Sequence, residues 1–381
     1  ETDPDRAYFK FTDIPNIAQD AIKHGLREMV IWGWAKPNFQ LPFYADPLLG
    51  SEQEFLRGIK AARNIGVNVT PFVSIQIIHR DFMELYGKNE APSKWTYNAN
   101  LIPPFNPHYT EDFACTGATI NPENDRWQKD VEKTFKYWFE RGVYSFSWDV
   151  FGEQRAAGDK TNQIKFITKL RNIAKRGDPQ STFSGEIVAN AGMEWDGQVL
   201  DYTWNWTGEV KNKSLYYLPY IDCGPIINVM SRPRLNCIIE DSPLYAKQVF
   251  ADGLLINVFP RRPGQANGSA LVSEVPELSK TLKMLTQRRK QFLDYFTRGL
   301  FIGDCILSSP SSLFVRGHLL SDNAMIICIN RQNSEFEDYI SLALKQWLKN
   351  DKYILNVFNE KGNLEKKHTL DMKKETHRLK I

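Results

Sequence analysis

The sequence lacks the features that mark several classes of protein. Its 381 residues include five cysteines, Cys115, Cys223, Cys237, Cys305 and Cys328, and none of them forms a C-x-x-C pair. The wide spacing argues against the common zinc motifs, and the odd number argues against a disulfide framework. No apolar run approaches the ~18 residues that a membrane helix needs, so we predict no membrane span. No G-x-G-x-x-G pattern of a dinucleotide site follows the first predicted strand.

A strong excess of charge is missing as well. Lys and Arg number 48, Asp and Glu number 45, and the net charge is +3. A dedicated nucleic-acid binder would show a basic surplus, so we expect no nucleic-acid partner. The chain opens with ETDPDRAY, which is neither a signal peptide nor an initiator methionine. We expect a secreted or periplasmic protein whose signal peptide is absent from this sequence.

Aromatic residues are abundant by contrast, with ten Trp, fifteen Tyr and twenty-three Phe. Such rings pack well in a large core, and this is one explanation of their number. The other is that some rings stack on sugars, because an aromatic face binds the apolar C–H patches of a sugar ring by dispersion and desolvation.

Strand-like and helix-like segments alternate over the first three quarters of the chain. Ser51 and Glu54 form a capping box before a helix with an apolar stripe, and Gly66 ends that helix. We predict eight strands, near 7–12, 28–34, 68–77, 143–149, 182–187, 200–205, 235–240 and 253–259. Most are apolar and separated by helices, which predicts an α/β fold, a (β/α)₈ TIM barrel. An open doubly wound sheet is the main rival.

The pattern changes after about residue 303. Short strands with turn residues between them follow, and the NEKGN segment at 359–363 predicts a hairpin turn. One segment, SLALKQWLKN at 341–350, looks helical. We therefore predict a catalytic barrel over residues 1–302 and a small C-terminal antiparallel β-domain, similar to a β-sandwich, over residues 303–381.

Carboxylates stand at the ends of consecutive predicted strands, where the chemistry of a TIM barrel takes place. Asp149 ends the fourth strand and Glu186 ends the fifth. Neighbouring strands lie ~4.8 Å apart, so the two acids can approach to the ~5–5.5 Å that a retaining glycosidase needs. The alternative for any single Asp after a strand is that it caps the next helix. The pair on consecutive strands favours catalysis.

The segments WDVFGE (148–153), GE (185–186) and LDYTW (200–204) resemble a known family. They are similar to the barrel of endo-α-N-acetylgalactosaminidases and their relatives in the α-amylase/α-galactosidase group of glycoside hydrolases. The resemblance implies that Asp149 is the nucleophile and Glu186 the acid/base. Two departures argue against starch-type activity: Ser147 stands where the α-amylase pattern has Arg, and Glu240-Asp241 stand in place of a His-Asp pair.

Further residues near the predicted strand ends are candidates for binding the substrate. The tryptophans are proposed to stack on sugar rings, with core packing as the alternative, and the polar residues are proposed to contact sugar hydroxyls. The candidates are Trp32, Trp34, His79, Trp148, Asp201, Trp204, Trp206 and Asp241.

Three functions remain open at this point. The first is a retaining glycoside hydrolase that acts on α-linked glycans and needs no cofactor or catalytic metal. The second is a non-catalytic carbohydrate-binding barrel that keeps the aromatic residues. The third is a barrel hydrolase or lyase with a metal held by His79, His108 and Asp149.

Overall fold

The computed structural model describes residues 9–31, 33–36, 40–41, 43–79, 117–119, 125–148, 160–186, 199–201, 226–230, 242–253, 255–258, 271–303, 307–308, 312–332, 339–342, 344–345, 347–373 and 377–380. The chain divides into two compact units. The first is Glu1–Tyr202 with Gln265–Leu271, and the second is Thr203–Gly264 with Val272–Ile381. The predicted domains 1–302 and 303–381 stay predictions.

The first unit alternates helices with strands, as the sequence predicts. Its helices are α1 (Ile14–Lys23), α2 (Glu52–Asn64), α3 (Asp125–Phe139) and α4 (Lys160–Gly177). Its strands are β1 (Glu28–Ile31), β2 (Ala35–Lys36), β3 (Gln40–Leu41), β4 (Tyr44–Ala45), β5 (Asn68–His79), β6 (Gly117–Thr119), β7 (Phe146–Trp148), β8 (Phe183–Glu186) and β9 (Val199–Asp201).

Helix α2 begins and ends where the sequence predicts. The hydroxyl of Ser51 accepts a hydrogen bond from the backbone N–H of Glu54, and the Glu54 carboxylate accepts one from the backbone N–H of Ser51 at 2.7 Å. The latter bond favours the charged carboxylate and lowers the pKa of Glu54. Gly66 follows the helix at φ +85°, a conformation that glycine adopts without strain. The predicted capping box is confirmed.

Five parallel strands of the first unit lie in the sheet in the order in which they occur in the chain. Their order is β1, β5, β7, β8 and β9. Glu28 is paired with Asn68, and Phe146 with Phe183. The outer half of β5 also pairs with β3 in parallel and with β6 in antiparallel.

The four described helices of this unit pack on one face of the sheet. Side chains alternate between the two faces of a strand. The side chains on one face of the strands share a single hydrophobic core with all four helices. These side chains are Met29, Ile31, Val69, Val73, Phe146, Trp148 and Phe183. A doubly wound sheet carries helices on both faces. The described part of the sheet therefore argues against that rival and has the arrangement of a (β/α)₈ barrel; the closed barrel of eight strands stays a prediction.

The opposite face of the sheet, which we call the inner face, is polar where the strands begin. Asn68 Nδ2 donates to Thr182 Oγ1 at 2.7 Å, and Ser145 Oγ donates to Asn68 Oδ1 at 3.1 Å. Glu28 Oε1 accepts from Thr70 Oγ1 at 2.9 Å and from Thr182 Oγ1 at 3.3 Å. These side-chain bonds tie β1 and β5 to the residues that lead into β7 and β8. We call them the entry network.

The second unit combines helices with antiparallel strands. Its helices are α5 (Ser242–Ala251), α6 (Pro276–Gln291) and α7 (Leu293–Thr297). Its strands are β10 (Ile226–Met230), β11 (Leu255–Val258), β12 (Leu300–Gly303), β13 (Leu307–Ser308), β14 (Leu313–Leu320), β15 (Asn323–Asn330), β16 (Tyr339–Leu342), β17 (Lys352–Phe358), β18 (Leu364–Asp371) and β19 (His377–Lys380).

Three small antiparallel sheets share one core in this unit. β10 and β11 pair in parallel, whereas the later strands form the sheets β12-β14-β15, β13-β16-β19 and β17-β18. Ile302, Val315, Leu342 and Leu370, which come from all three sheets, belong to one hydrophobic cluster. The predicted turn at NEKGN is confirmed, since the N–H of Asn359 donates to the carbonyl of Asn363. The antiparallel character is as predicted; the sandwich stays a prediction.

Two secondary-structure predictions are wrong. The predicted strand near 7–12 ends in a 3₁₀ turn at residues 11–13. The backbone N–H of Lys10 donates to the carboxylate of Asp13, and the backbone N–H of Asp13 donates to the carbonyl of Lys10. The helical-looking segment at 341–350 begins inside β16, where Ile340 and Leu342 are buried in the core of the sheets. Among the described residues, no helix has the length and apolar character to cross a membrane.

A buried ion pair anchors α5 to β14 in the second unit. Arg316 Nε donates to Asp252 Oδ1 at 2.6 Å, and their side chains are 8% and 1% exposed. The guanidinium also lies 3.7 Å from the centre of the Phe314 ring. Each buried charge needs its partner, because the desolvation of an unpaired ion costs several kcal/mol of folding free energy.

His318 lies beside this pair in an apolar setting. Its Nε2 donates to the carbonyl of Ala251 at 2.8 Å, and the rings of Phe296 and Phe301 are 5.1 Å and 5.3 Å away. Burial lowers the pKa of His318 to about 4, and the Arg289 and Arg316 charges act in the same direction. The imidazole is therefore neutral in the folded protein at neutral pH.

We expect Asp252→Ala to lower the free energy of unfolding by about 3–5 kcal/mol, because it leaves Arg316 buried without this partner. The matched control is Asp294→Ala. Asp294 lies 3.8 Å from Arg298 on the surface, with exposures of 64% and 71%. Its loss should change stability by at most about 1 kcal/mol. Urea unfolding of both variants tests this, and equal effects would contradict it.

We expect His318 to make the protein less stable in acid. Its folded pKa of about 4 lies below the ordinary 6.5, so the unfolded chain binds a proton that the folded chain excludes between these values. The stability from neutral His318 is complete above about pH 6.5 and is lost as the pH falls towards 4. The loss between about pH 7 and pH 5 should be roughly 2 kcal/mol. Unfolding curves of wild type and His318→Gln measure it, and identical pH dependences would contradict the assignment.

Candidate functional site

The candidate site lies at the carboxyl ends of the parallel strands in the first unit. Glu186 is the last residue of β8, Asp201 the last of β9 and His79 the last of β5. These strands run in the same direction, so Glu186 and Asp201 lie at the same edge of the sheet. His79 lies six residues beyond Val73, the residue of β5 that is level with Trp148 and Gly185. Glu186 is paired with Leu200, the residue before Asp201. The structure thus brings two of the predicted acidic positions to neighbouring strand ends.

Five of the predicted site residues are not among the described residues. Asp149, the proposed nucleophile, directly follows β7 and lies outside them. Trp32, Trp204, Trp206 and Asp241 also lie outside them. For His79, Glu186 and Asp201 the structure describes the backbone.

Trp34 belongs to the core of the first unit. Its side chain is 0% exposed, and its ring stacks on Phe55 with the centroids 4.9 Å apart and the planes 9° apart. The ring of Trp138 contacts the Trp34 ring edge-on, with the centroids 5.2 Å apart. The Nε1 of Trp34 donates a hydrogen bond to the carbonyl of Phe72 at 2.8 Å. Both the ring face and the polar end are therefore occupied by the protein, which corrects the prediction of a sugar-stacking role for Trp34.

Trp148 also belongs to the core of the first unit. It is 1% exposed and stacks on Phe135 of α3 at 5.0 Å, with Phe183 at 5.4 Å. The physical reason is parity: Trp148 lies two residues after Phe146, and both face the helices. The prediction that Trp148 stacks on a sugar is therefore corrected as well, because the protein core covers its ring. The aromatic stripe of α3 in the sequence could have indicated this core position, because such a stripe needs apolar partners on the facing strands.

Ser147 is the residue that sequence reasoning did not place in the site. It lies between Phe146 and Trp148, so it belongs to the inner face. It pairs with Phe72 on β5 and with Ser184 on β8. The side chain of Ser147 is 0% exposed, and its hydroxyl has no hydrogen-bond partner in the described part of the chain.

Positive charge is missing from the five parallel strands themselves. Their described residues contain no Lys or Arg; the ionisable residues among them are Glu28, His79, Glu186 and Asp201. Glu28 belongs to the entry network at the beginning of the strands, whereas the other three stand at the ends. The described ends of β8 and β9 are therefore acidic, and the described end of β5 is a histidine.

The third hypothesis, a metal held by His79, His108 and Asp149, has one of its three residues in the described part of the chain. There, no group of three or more His, Cys, Asp or Glu residues is placed to hold a metal ion. His108 and Asp149 lie outside the described residues.

Comparisons with known proteins connect this fold to glycoside-cleaving enzymes. No known family profile matches the chain, and no curated protein matches it in sequence. Solved structures do match. A noncanonical maltogenic α-amylase from Thermotoga neapolitana superposes with a TM-score of 0.66 at 14% identity, over 97% of this chain and 92% of that one.

Two further structures extend this likeness. An α-amylase from Geobacillus thermoleovorans, in complex with acarbose, gives a TM-score of 0.66 at 14% identity, over 99% of this chain and 94% of that one. The galactosidase domain of an α-galactosidase-sucrose kinase gives 0.61 at 13% identity, over 94% and 48%. The predicted resemblance to the α-amylase/α-galactosidase group is thus confirmed in the fold.

We expect Trp34→Ala to lower the free energy of unfolding by about 3–5 kcal/mol, because it empties a large fully packed site. Tyr44→Ala is the control: Tyr44 is an aromatic residue ten positions away in sequence but 54% exposed, and its change should stay within about 0.5 kcal/mol. Urea unfolding compares the two. A Trp34→Ala protein of wild-type stability would restore the sugar-stacking role.

Proposed function

We propose that the chain is a retaining glycoside hydrolase that acts on α-linked glycans, with Asp149 as the nucleophile and Glu186 as the acid/base. The observation that carries the proposal is the in-register pairing of β7 with β8. Trp148 pairs with Gly185, and these are the residues directly before Asp149 and Glu186. The two carboxylates thus each follow a paired residue on adjacent strands, which is the sequence arrangement expected of a two-carboxylate site.

The spacing expected from this register suits the retaining reaction. Parallel strands lie ~4.8 Å apart, and one step past a paired position the two chains stay neighbours. Retaining glycosidases hold their carboxyl groups ~5–5.5 Å apart, whereas inverting enzymes need ~6.5–9.5 Å to admit a water. If the pairing continues to the next residue, the two acids are at the closer distance.

The alternation of side chains supports the same pair. Phe146 and Trp148 face the helices, so two-residue alternation predicts that position 149 belongs to the inner face with Ser147. On β8, Phe183 faces the helices, and the same alternation predicts the inner face for position 186. The two acids would then face the same side, away from the apolar core.

The reaction needs two carboxylates in different protonation states. One attacks the anomeric carbon and forms a glycosyl-enzyme ester, while the other protonates the departing oxygen. The second group then takes a proton from water, which attacks the anomeric carbon and releases the first carboxylate. Two acids at close range separate their pKa values, because both cannot carry charge at low cost. Asp149 ionised and Glu186 protonated is the assignment that the family resemblance supports.

The substrate class rests on the fold and on the remaining candidate residues. The amylase and galactosidase structures that share the fold carry names of enzymes for α-linked sugars. We propose Trp32, Trp204 and Trp206 as stacking residues, since the other two candidate tryptophans, Trp34 and Trp148, are buried in the core. His79, Asp201 and Asp241 are proposed to contact sugar hydroxyls.

The first test is a panel of aryl α- and β-glycosides with wild type, Asp149→Asn and Glu186→Gln. The wild type should cleave an α-glycoside. Loss of the acid/base should slow an unactivated substrate by about 10²–10⁴-fold, and loss of the nucleophile should leave only background hydrolysis. Glu140→Gln, an exposed acid at the end of α3, should keep full activity.

Azide separates the two roles in Asp149→Ala and Glu186→Ala. Without the nucleophile, azide displaces the leaving group in one inversion, so an α-substrate gives a β-glycosyl azide. Without the acid/base, azide attacks the glycosyl-enzyme in a second inversion and gives an α-azide. NMR of the product identifies each. Wild-type protein that binds glycans and cleaves none would favour the carbohydrate-binding barrel.

A further inference from the structure

The carboxyl end of α5 and the two residues after it are held by side chains of α6 and β14. His318 Nε2 of β14 donates to the carbonyl of Ala251 at 2.8 Å, and Arg289 Nη1 of α6 donates to the carbonyl of Gly253 at 3.4 Å. Asp252, which lies between them, forms the buried ion pair with β14. Three consecutive residues are thus each bound by a donor, at the end of a helix where the carbonyl groups carry partial negative charge.

The apolar packing of this helix end on the sheet is separate from the core of the sheets. Ala251 belongs to a small cluster whose other buried members are Phe314 of β14 and Ile329 of β15. The core that unites the three antiparallel sheets is a different and larger cluster. The end of α5 can therefore leave β14 without opening the core of the sheets, provided that its polar contacts are broken.

His318 is the titratable group among these contacts, and most of its surroundings are uncharged. The groups that face it from β12, β15 and α7 are Phe301, Met325 and Phe296. The ionisable residues of α7 are Asp294 and Tyr295. Asp294 is exposed and pairs with Arg298, while burial raises the pKa of Tyr295 and keeps it neutral. These three elements therefore supply no charge that would stabilise an imidazolium.

The charges that do face His318 are mostly positive. They are the guanidinium groups of Arg289 and Arg316 and the carboxylate of Asp252, and the charged residue of α5 itself is Lys247. Burial lowers the pKa of His318 to about 4, and both arginine charges act in the same direction. A proton on His318 adds a third buried cation beside two others that share one carboxylate. The protonated ring therefore gains free energy when it reaches water.

We propose that residues 251–253 form an acid-sensitive latch, which protonation of His318 releases from β14 while the three antiparallel sheets stay folded. The proton binds Nδ1, because Nε2 already carries the hydrogen that it donates to Ala251. Gly253 lies against the ring, where an added Cβ would be 2.9 Å from Cε1, so the imidazolium gains hydration when this segment moves away. β11 begins at Leu255, two residues further on, and the opening therefore reaches the start of that strand.

The test is amide hydrogen exchange of the full chain at about pH 7 and about pH 5, corrected for the chemical exchange rate at each pH. The N–H groups of Asp252 and Gly253 report on the latch, because they donate to the carbonyls of Gln248 and Phe250 at the end of α5. Their equilibrium constant for opening should rise about 20-fold from pH 7 to pH 5, given a pKa of about 4 in the closed latch and 6.5 in the open one. Low urea should leave this opening unchanged, since a local opening exposes little surface.

His318→Gln removes the titrating group and should abolish the rise in opening between these pH values. The matched control is His368→Gln, because His368 is an exposed histidine on β18, and this variant should keep the full rise. If His318→Gln does not fold, the wild-type pH profile decides. The opening constant must then increase as the pH falls through about 6.5 and level off near 4.

Three results would overturn the latch. The first is an opening constant of Asp252 and Gly253 that is the same at both pH values. The second is exchange of these two amides with the same opening constant and urea dependence as the amides of β14 and β15, because acid would then unfold the whole unit. The third is an unchanged pH response in His318→Gln, which would assign the proton to another group. None of these results bears on the proposed function, since no residue of the latch belongs to the proposed site.

Discussion

The parallel, in-register pairing of β5, β7 and β8 is the constraint on which the rest of the first unit depends. It joins Phe72 to Ser147 and Ser147 to Ser184, so residues at equal height on three strands share a face. Strand alternation then separates two environments by a single residue. Phe146 and Trp148 enter an aromatic core beneath the helices, whereas Ser147 enters the inner face. A slip of one residue would exchange the two sets and bury the polar side chains among aromatic rings.

The second unit holds two of its elements together with a buried ion pair. Asp252 and Arg316 satisfy each other, and Phe314 covers the guanidinium. Gly253 permits the close approach, since it adopts φ +80° and an added Cβ would lie 2.9 Å from the His318 ring. The end of α5 and the middle of β14 are therefore joined by directional contacts, in contrast to the apolar packing that unites the three antiparallel sheets.

Local signals in the sequence predict the elements well and the environment of single side chains less well. The Ser51–Glu54 capping box, the apolar stripe of α3 and the NEKGN turn are each determined by residues close together in the sequence. The structure contains all three. The turn at Lys10–Asp13 was missed because one carboxylate–backbone bond outweighs an alternating pattern. β10 was not predicted, and the predicted strand near 235–240 lies outside the described residues. Trp34 and Trp148 show this limit of sequence-based prediction most clearly. A tryptophan near a strand end can pack in a core or stack on a sugar, and only the contacts with Phe55 and Phe135 in the structure show that these two rings pack in the core.

The entry network has a consequence for how the first unit assembles. Its bonds join residues far apart in the chain: Glu28 and Thr182 are separated by 154 positions, Asn68 and Thr182 by 114, and Ser145 and Asn68 by 77. Closing such long segments carries a loop entropy that local helices do not. Thr182 can donate to Glu28 and accept from Asn68 only after β1, β5 and β8 have docked together. We therefore expect the network to be completed late in folding. Loss of Thr182 would remove side-chain bonds to β1 and β5 at once, while the backbone pairing of the strands remains.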